Sequence, residues 1–108
     1  MFDLSWSPAE KKIAREAYEA TLAAAIAKLL AEFKRRANAA ACSEDLWAVE
    51  DYLRDQRKDI SQMLDYRYSR LPLVLAWAIR EEYIDQERLV GLSEDKLKII
   101  HRLVAATP

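Results

Sequence analysis

Leu46-Trp47-Ala48-Val49-Glu50-Asp51-Tyr52-Leu53-Arg54-Asp55-Gln56-Arg57 reads as one helix carrying two stripes of different character. Helical spacing puts Trp47, Glu50, Asp51, Arg54 and Arg57 at i, i+3, i+4, i+7 and i+10, on one side of the cylinder. Leu46, Val49 and Leu53 fall on another side. Downstream the apolar stripe continues: Leu46, Leu53 and Ile60 recur every seven residues, with Val49, Gln56 and Met63 interleaved. Such a seam requires a partner helix. A large aromatic set among charges, by contrast, suggests a docking surface.

The helix that precedes this stretch is announced by Ser7-Pro8-Ala9-Glu10, a capping box with proline at the first helical position. Its apolar residues are Ile13, Ala17, Leu22, Ala25, Ile26, Leu29, Leu30 and Phe33, mostly three or four apart. This predicts an amphipathic helix of about seven or eight turns. The pattern weakens at Asn38, and Ser43, followed by Glu44 and Asp45, is the expected N-cap of the second helix. The two helices are expected to fold back as a hairpin, the first covering part of the Leu46/Leu53/Ile60 seam. Two helices alone leave apolar surface uncovered, so a second copy of the chain is the economical way to complete the core.

The pattern resets at Tyr66-Arg67-Tyr68-Ser69-Arg70, where Ser69 is the expected N-cap of a third helix running to about Glu82, with Pro72 in its first turn. Its run Leu71-Pro72-Leu73-Val74-Leu75-Ala76-Trp77-Ala78-Ile79 is about half the roughly 20 residues needed to span a membrane, so a buried core helix is expected. Asp85 starts a short fourth segment that Gly91 ends, and Ser93 caps a last helix through Leu97, Ile100, Leu103 and Val104. The fold expected is therefore all-α. Residues 1–108 form a single helical domain, with stalk helices over about 7–68 and a small helical head over about 69–105.

Composition agrees, since 52% hydrophobic residues with a single glycine and three prolines favour helices over strands. A net charge of -1 offers no overall field for nucleic acid or anionic lipid. Lys11-Lys12 with Arg15, and Lys34-Arg35-Arg36, read as a solvated face and as cations at a helix C-terminus. Met1-Phe2-Asp3-Leu4 lacks the basic start and apolar run of a signal peptide, and Cys42 alone cannot form an internal disulfide. A cytoplasmic protein without an integral membrane segment is expected, with peripheral association with a membrane kept as an alternative.

Signatures of catalysis are missing. There is no glycine loop to cradle phosphate, no Cys/His cluster and no Glu-x-x-His, so neither a metal site nor a cofactor is expected. His101 reads as a surface residue and Cys42 as a small space-filling one. Spacing alone leaves open whether Trp47 tucks into the seam or meets a partner. Aromatics and arginines dominate protein interfaces, and Asp51, Arg54 and Arg57 beside it favour binding.

Asp45-Leu46-Trp47, Asp51-Tyr52-Leu53, Arg57 and Tyr66-Arg67-Tyr68-Ser69 together resemble the fluorescence recovery protein family of cyanobacterial photoprotection. Trp6-Ser7, Ala17-Tyr18, Ile84-Asp85, Leu89, Gly91-Leu92-Ser93-Glu94-Asp95-Lys96 and Ile99-Ile100 extend the resemblance from Trp6 to about Leu103. It implies a homodimer joined through the stalk. It also implies a non-enzymatic regulator that binds light-activated orange carotenoid protein, mainly on its C-terminal domain, speeds its return to the orange form and promotes its detachment from the phycobilisome. The positions matching Trp47, Asp51 and Arg57 are associated with that binding, and the one matching Leu46 with the dimer interface.

With the two stripes, this gives Trp47, Glu50, Asp51, Arg54 and Arg57 as expected partner-binding residues. Leu46, Val49, Leu53 and Ile60 are the expected dimer contacts, and Leu73 is an expected contact of the head. Departures from the family's pattern are Glu50 where some relatives carry His, Gln56 where others are basic, Leu73 and Leu75 where Phe is frequent, and Pro72. One rival reading keeps the fold but gives it another protein client, as a dimeric adaptor or chaperone-like factor. A second rival, a membrane-surface helix using Leu29, Leu30 and Phe33 beside Lys34-Arg35-Arg36, ranks last because the hairpin needs those apolar residues.

Overall fold

The computed structural model describes residues 4–106. Helix α1 spans Pro8–Ala39, α2 Ser43–Met63, α3 Leu71–Arg80 and α4 Glu94–Ala106, with a 3-10 turn at Gln86–Leu89 between the last two. Among the described residues there is no strand, and the architecture is the expected all-helical one. Met1–Asp3, on which the N-terminal reading rested, and residues 107–108 lie outside the described residues.

The start of α1 follows its sequence closely. Ser7 Oγ accepts the Glu10 amide at 3.1 Å while Glu10 Oε1 accepts the Ser7 amide at 3.0 Å, so both halves of the capping box are made. From there α1 runs for 32 residues, ending at Ala40 with extended backbone. The reversal into α2 takes only residues 40–42. The N-cap is Cys42 rather than Ser43, and it makes no side-chain capping bond. Instead Asp45 reaches back from the first turn to the residue before the cap, its Oδ2 accepting the Ala41 amide at 3.0 Å. Cys42 is exposed there, which corrects its expected role as a space-filling residue.

At the other end, α3 begins one residue later than expected, with Arg70 and not Ser69 as N-cap, and Pro72 sits harmlessly in its first turn. It stops at Arg80 in a Schellman motif, in which Tyr83 donates to the Ala78 carbonyl at 2.9 Å and Glu82 to that of Ile79 at 3.0 Å. Glu82 carries the left-handed backbone of that motif at φ 61°, a position glycine usually fills. Asp85 caps the 3-10 turn by accepting the Glu87 amide at 2.9 Å. Ser93 caps α4, its Oγ taking the Lys96 amide at 3.4 Å.

The core lies at this end. Leu71 and Leu75 of α3, Leu89 of the 3-10 turn and Ile100 of α4 are fully buried, packed with Ala14 and Ala17 of α1 and with Trp6. Burying each large side chain contributes about 1.5–3 kcal/mol. Trp6, Tyr68, Tyr66 and Tyr18 form a continuous aromatic row, with ring centroids 5.7, 5.8 and 4.8 Å apart in that order. Tyr18 then donates to the Leu64 carbonyl at 3.0 Å, fixing the α2–α3 connection to α1.

One buried ion pair closes the assembly. Glu10 Oε2 lies 3.1 Å from Lys96 Nζ and accepts the Ser93 amide at 2.9 Å, joining the first turn of α1 to the first turn of α4. The Ser7 and Ser93 amides, and then the Lys96 ammonium, lower the pKa of Glu10 from 4.5 to about 2.

Beyond this head the hairpin extends with little interior, and the molecule measures 53 × 22 × 21 Å. Its Cα radius of gyration is 16.5 Å, against about 13 Å for a compact chain of this length. The residues α1 buries are Glu10, Ala14, Ala17, Thr21 and Ala25, a stripe of mostly small side chains. Leu22, Ile26 and Leu30 form a different stripe, 38%, 46% and 49% exposed. The first helix folds back on α2 and covers part of its seam as expected, but Leu22, Ile26 and Leu30 of the expected apolar face stay outside that contact. Small side chains let helices approach closely, and it is that face which turns inward.

Candidate functional site

Helix α2 has one buried side chain, Val49, at 8% exposure. Of the apolar seam, Leu46 is 55% exposed, Leu53 and Ile60 are half-buried, and Val49 is packed within the chain. The seam is thus divided, with its centre used by the hairpin and Leu46 left facing outward.

The charged stripe is wholly exposed. Trp47 is 58% exposed, and Glu50, Asp51, Arg54 and Arg57 stand along the same side. Within it, Arg54 leans back toward its own helix, with Nη2 3.3 Å from Glu50 and Nη1 3.8 Å from Asp51. At this exposure such pairs contribute little to stability. Among the described residues Arg57 makes no ion pair, so its guanidinium keeps its full set of donors for another molecule. Indole and uncommitted guanidinium stand about 15 Å apart along one side of α2, and both residue types are common at the centres of protein interfaces.

The first turn of α2 is stiffened from upstream. Hydrogen bonding by the Ala41 amide and the Cys42 thiol lowers the Asp45 pKa, keeping a carboxylate at the positive end of the helix. Opposite Tyr52, α1 supplies an arginine cluster. Glu32 receives both Arg35 and Arg36, whose hydrogen bonds lower its pKa from 4.5 to about 2. Arg36 Cζ lies 3.9 Å from the centroid of the Tyr52 ring. Sequence reasoning saw Arg36 only as a favourable charge at the end of α1; the ring it stacks on lies across the reversal.

Leu73 is half-buried on α3, in the head. Roughly 24 Å of helix axis separates Trp47 from Met63 at the far end of α2, so the chain does not bring Leu73 and the charged stripe together. Between hairpin and head lies an open groove of about 860 Å³, lined by residues including Leu29, Tyr52, Ile60, Trp77 and Tyr83. No cluster of metal-binding side chains exists among the described residues. His101 is exposed, as expected.

A sequence profile described as photoprotection regulator fluorescence recovery protein matches residues 6–104. The chain belongs to the fluorescence recovery protein family. It is 30% identical over 98 residues to the fluorescence recovery protein of Synechocystis sp., an alignment covering 91% of this chain and 90% of that protein. The solved fluorescence recovery protein of Fremyella diplosiphon is 31% identical and superposes with a TM-score of 0.88, covering 94% of this chain and 99% of that one. That of Synechocystis sp. superposes equally well, at 0.88 and 29% identity over the same shares. Membership makes the protein a photoprotection regulator and not an enzyme. Among the described residues no helix is long and apolar enough to cross a membrane.

Proposed function

We propose that this chain binds the light-activated form of an orange carotenoid protein, mainly on its C-terminal domain, accelerates its reversion to the orange form and promotes its detachment from the phycobilisome. It acts as a cytoplasmic homodimer without a cofactor. Trp47 and Arg57 anchor the client, Asp51 adds a directional polar contact, and Glu50 and Arg54 shape the surrounding charge. The dimer joins Leu46, Leu53 and Ile60 of α2 to the outward Leu22, Ile26 and Leu30 of α1, with Val49 supporting the seam from within. Leu73 adds a contact from the head.

The observation that carries this reading is the exposure of Trp47 on the same side of α2 as Arg57, which makes no ion pair among the described residues and stands about 15 Å further along the axis, in a chain of the fluorescence recovery protein family. The mechanism is differential binding: a regulator that speeds relaxation must hold the transition state more tightly than the activated state it first meets. Each tenfold acceleration requires about 1.4 kcal/mol of that difference.

The test mixes the chain with photoconverted orange carotenoid protein and follows the red-to-orange absorbance change. Parent protein accelerates recovery, and Trp47→Ala and Arg57→Ala each lose most of the effect while keeping helical content and elution volume. Recovery unaffected by the parent protein points instead to a different client for the same scaffold. The dimer has its own check, since Leu46→Glu places an unpaired charge in the seam and should elute as a monomer.

A further inference from the structure

A helix with one buried side chain is poorly constrained in rotation about its own axis, yet the use of α2 depends on which side faces outward. Val49 fixes one point of contact. The Leu64 carbonyl, held by Tyr18, anchors the far end, and near Trp47 the second contact is the stack of Arg36 on Tyr52 at 3.9 Å, about one turn past Val49. Arg36 is itself held, with Nε 2.9 Å from Glu32 Oε1, and Glu32 is drawn to the same place by Arg35. The guanidinium is therefore clamped between a carboxylate on its own helix and an aromatic face on the next. Tyr52 follows Trp47 by five residues, about 140° round the helix, so the stack grips the side nearly opposite the indole.

We propose that Arg36 and Tyr52 are positioning residues for client recognition: their stack locks the rotation of α2 so that Trp47 and Arg57 face away from α1. This assignment rests on the client-binding reading of the Trp47 face. Neither residue touches the client. Arginine suits this place better than lysine, because a guanidinium can offer its face to a ring while donating in its own plane to a carboxylate.

The experiment compares Arg36→Met, Tyr52→Leu, their double variant, Tyr52→Phe and Trp47→Ala, at a temperature where all are folded and of parental elution volume. Acceleration of recovery of photoconverted orange carotenoid protein is measured as a function of added protein. Arg36→Met and Tyr52→Leu should each weaken half-maximal acceleration about fivefold, and the double variant no further. Tyr52→Phe keeps the ring and should match the parent. Independently of any client, amide hydrogen exchange over residues 46–57 should speed up about fivefold in Arg36→Met and stay unchanged in Tyr52→Phe.

Parental exchange in Arg36→Met, or additive losses in the double variant, would overturn the proposal. Loss of function in Trp47→Ala with full function in Arg36→Met would overturn it alone, leaving the client-binding face standing. Should Arg36→Met lose helical content, the contrast between Tyr52→Leu and Tyr52→Phe decides in the same way.

Discussion

Replacing Lys96 by methionine should weaken the junction between the first turns of α1 and α4 by as much as truncating a buried core side chain. The Lys96 side chain is 6% exposed, and its ammonium lies 3.1 Å from the carboxylate of Glu10, a side chain only 12% exposed. Breaking a buried pair by removing one partner costs about 3–5 kcal/mol, because the remaining charge stays buried. Glu10 retains the Ser7 and Ser93 amides, at 3.0 and 2.9 Å, and methionine fills most of the vacated volume. We therefore expect about 2–3 kcal/mol. With a urea dependence of about 1.5–2 kcal/mol per molar, the unfolding midpoint followed by circular dichroism falls by about 1–2 M at fixed protein concentration. Glu10→Gln should cost at least as much, since it strands the Lys96 charge and weakens the α1 cap as well. A shift below about 0.3 M for Lys96→Met would refute the reasoning, showing that the two amides alone hold the carboxylate and that the ammonium contributes nothing net.

The same site sets an acid limit. Glu10 is held near a pKa of about 2 in the folded chain against an ordinary 4.5, so its contribution is complete above that ordinary value and is lost as the pH falls toward 2. Urea midpoints measured from pH 6 downward should decline through this window, and the decline should be shallower in Glu10→Gln. Gly91→Ala should destabilise by about 1–3 kcal/mol in thermal melts, because the backbone stands at φ 107° and a Cβ would meet Ile13 Cδ1 at 2.5 Å. Glu82→Gly should go the other way, raising stability by up to about 1 kcal/mol, because glycine carries no penalty for the left-handed backbone at the end of α3.

What could be read from sequence was whatever depends on neighbours in the chain. The Ser7/Glu10 capping box, Pro72 in a first turn, the Asp85 start and the Ser93 cap all emerged from spacings of a few residues. The same local logic misassigned Ser43, because the helix starts one residue earlier, with Cys42 as N-cap, and the side-chain bond made there runs from the Ala41 amide to Asp45. Periodicity established that α1 is amphipathic but not which of its two apolar stripes turns inward. Ala17 and Ala25 were grouped with Leu22, Ile26 and Leu30 in one apolar pattern, whereas only the alanines of that set pack inward. Contacts made across the fold, such as Glu10 with Lys96 and Arg36 with Tyr52, leave no periodic trace. In the functional stripe, spacing placed Trp47 and its charged neighbours on one side but could not distinguish the engaged Arg54 from Arg57.

The distribution of the interior along the rod implies a gradient of local opening. Past Ala25 no side chain of α1 is buried, and α2 contributes only Val49. The bend around Ala40–Cys42 should consequently open on a faster timescale than α3 or α4, which leaves local bonds such as the Arg36–Tyr52 stack, and not a packed interior, to hold the Trp47 end in its orientation.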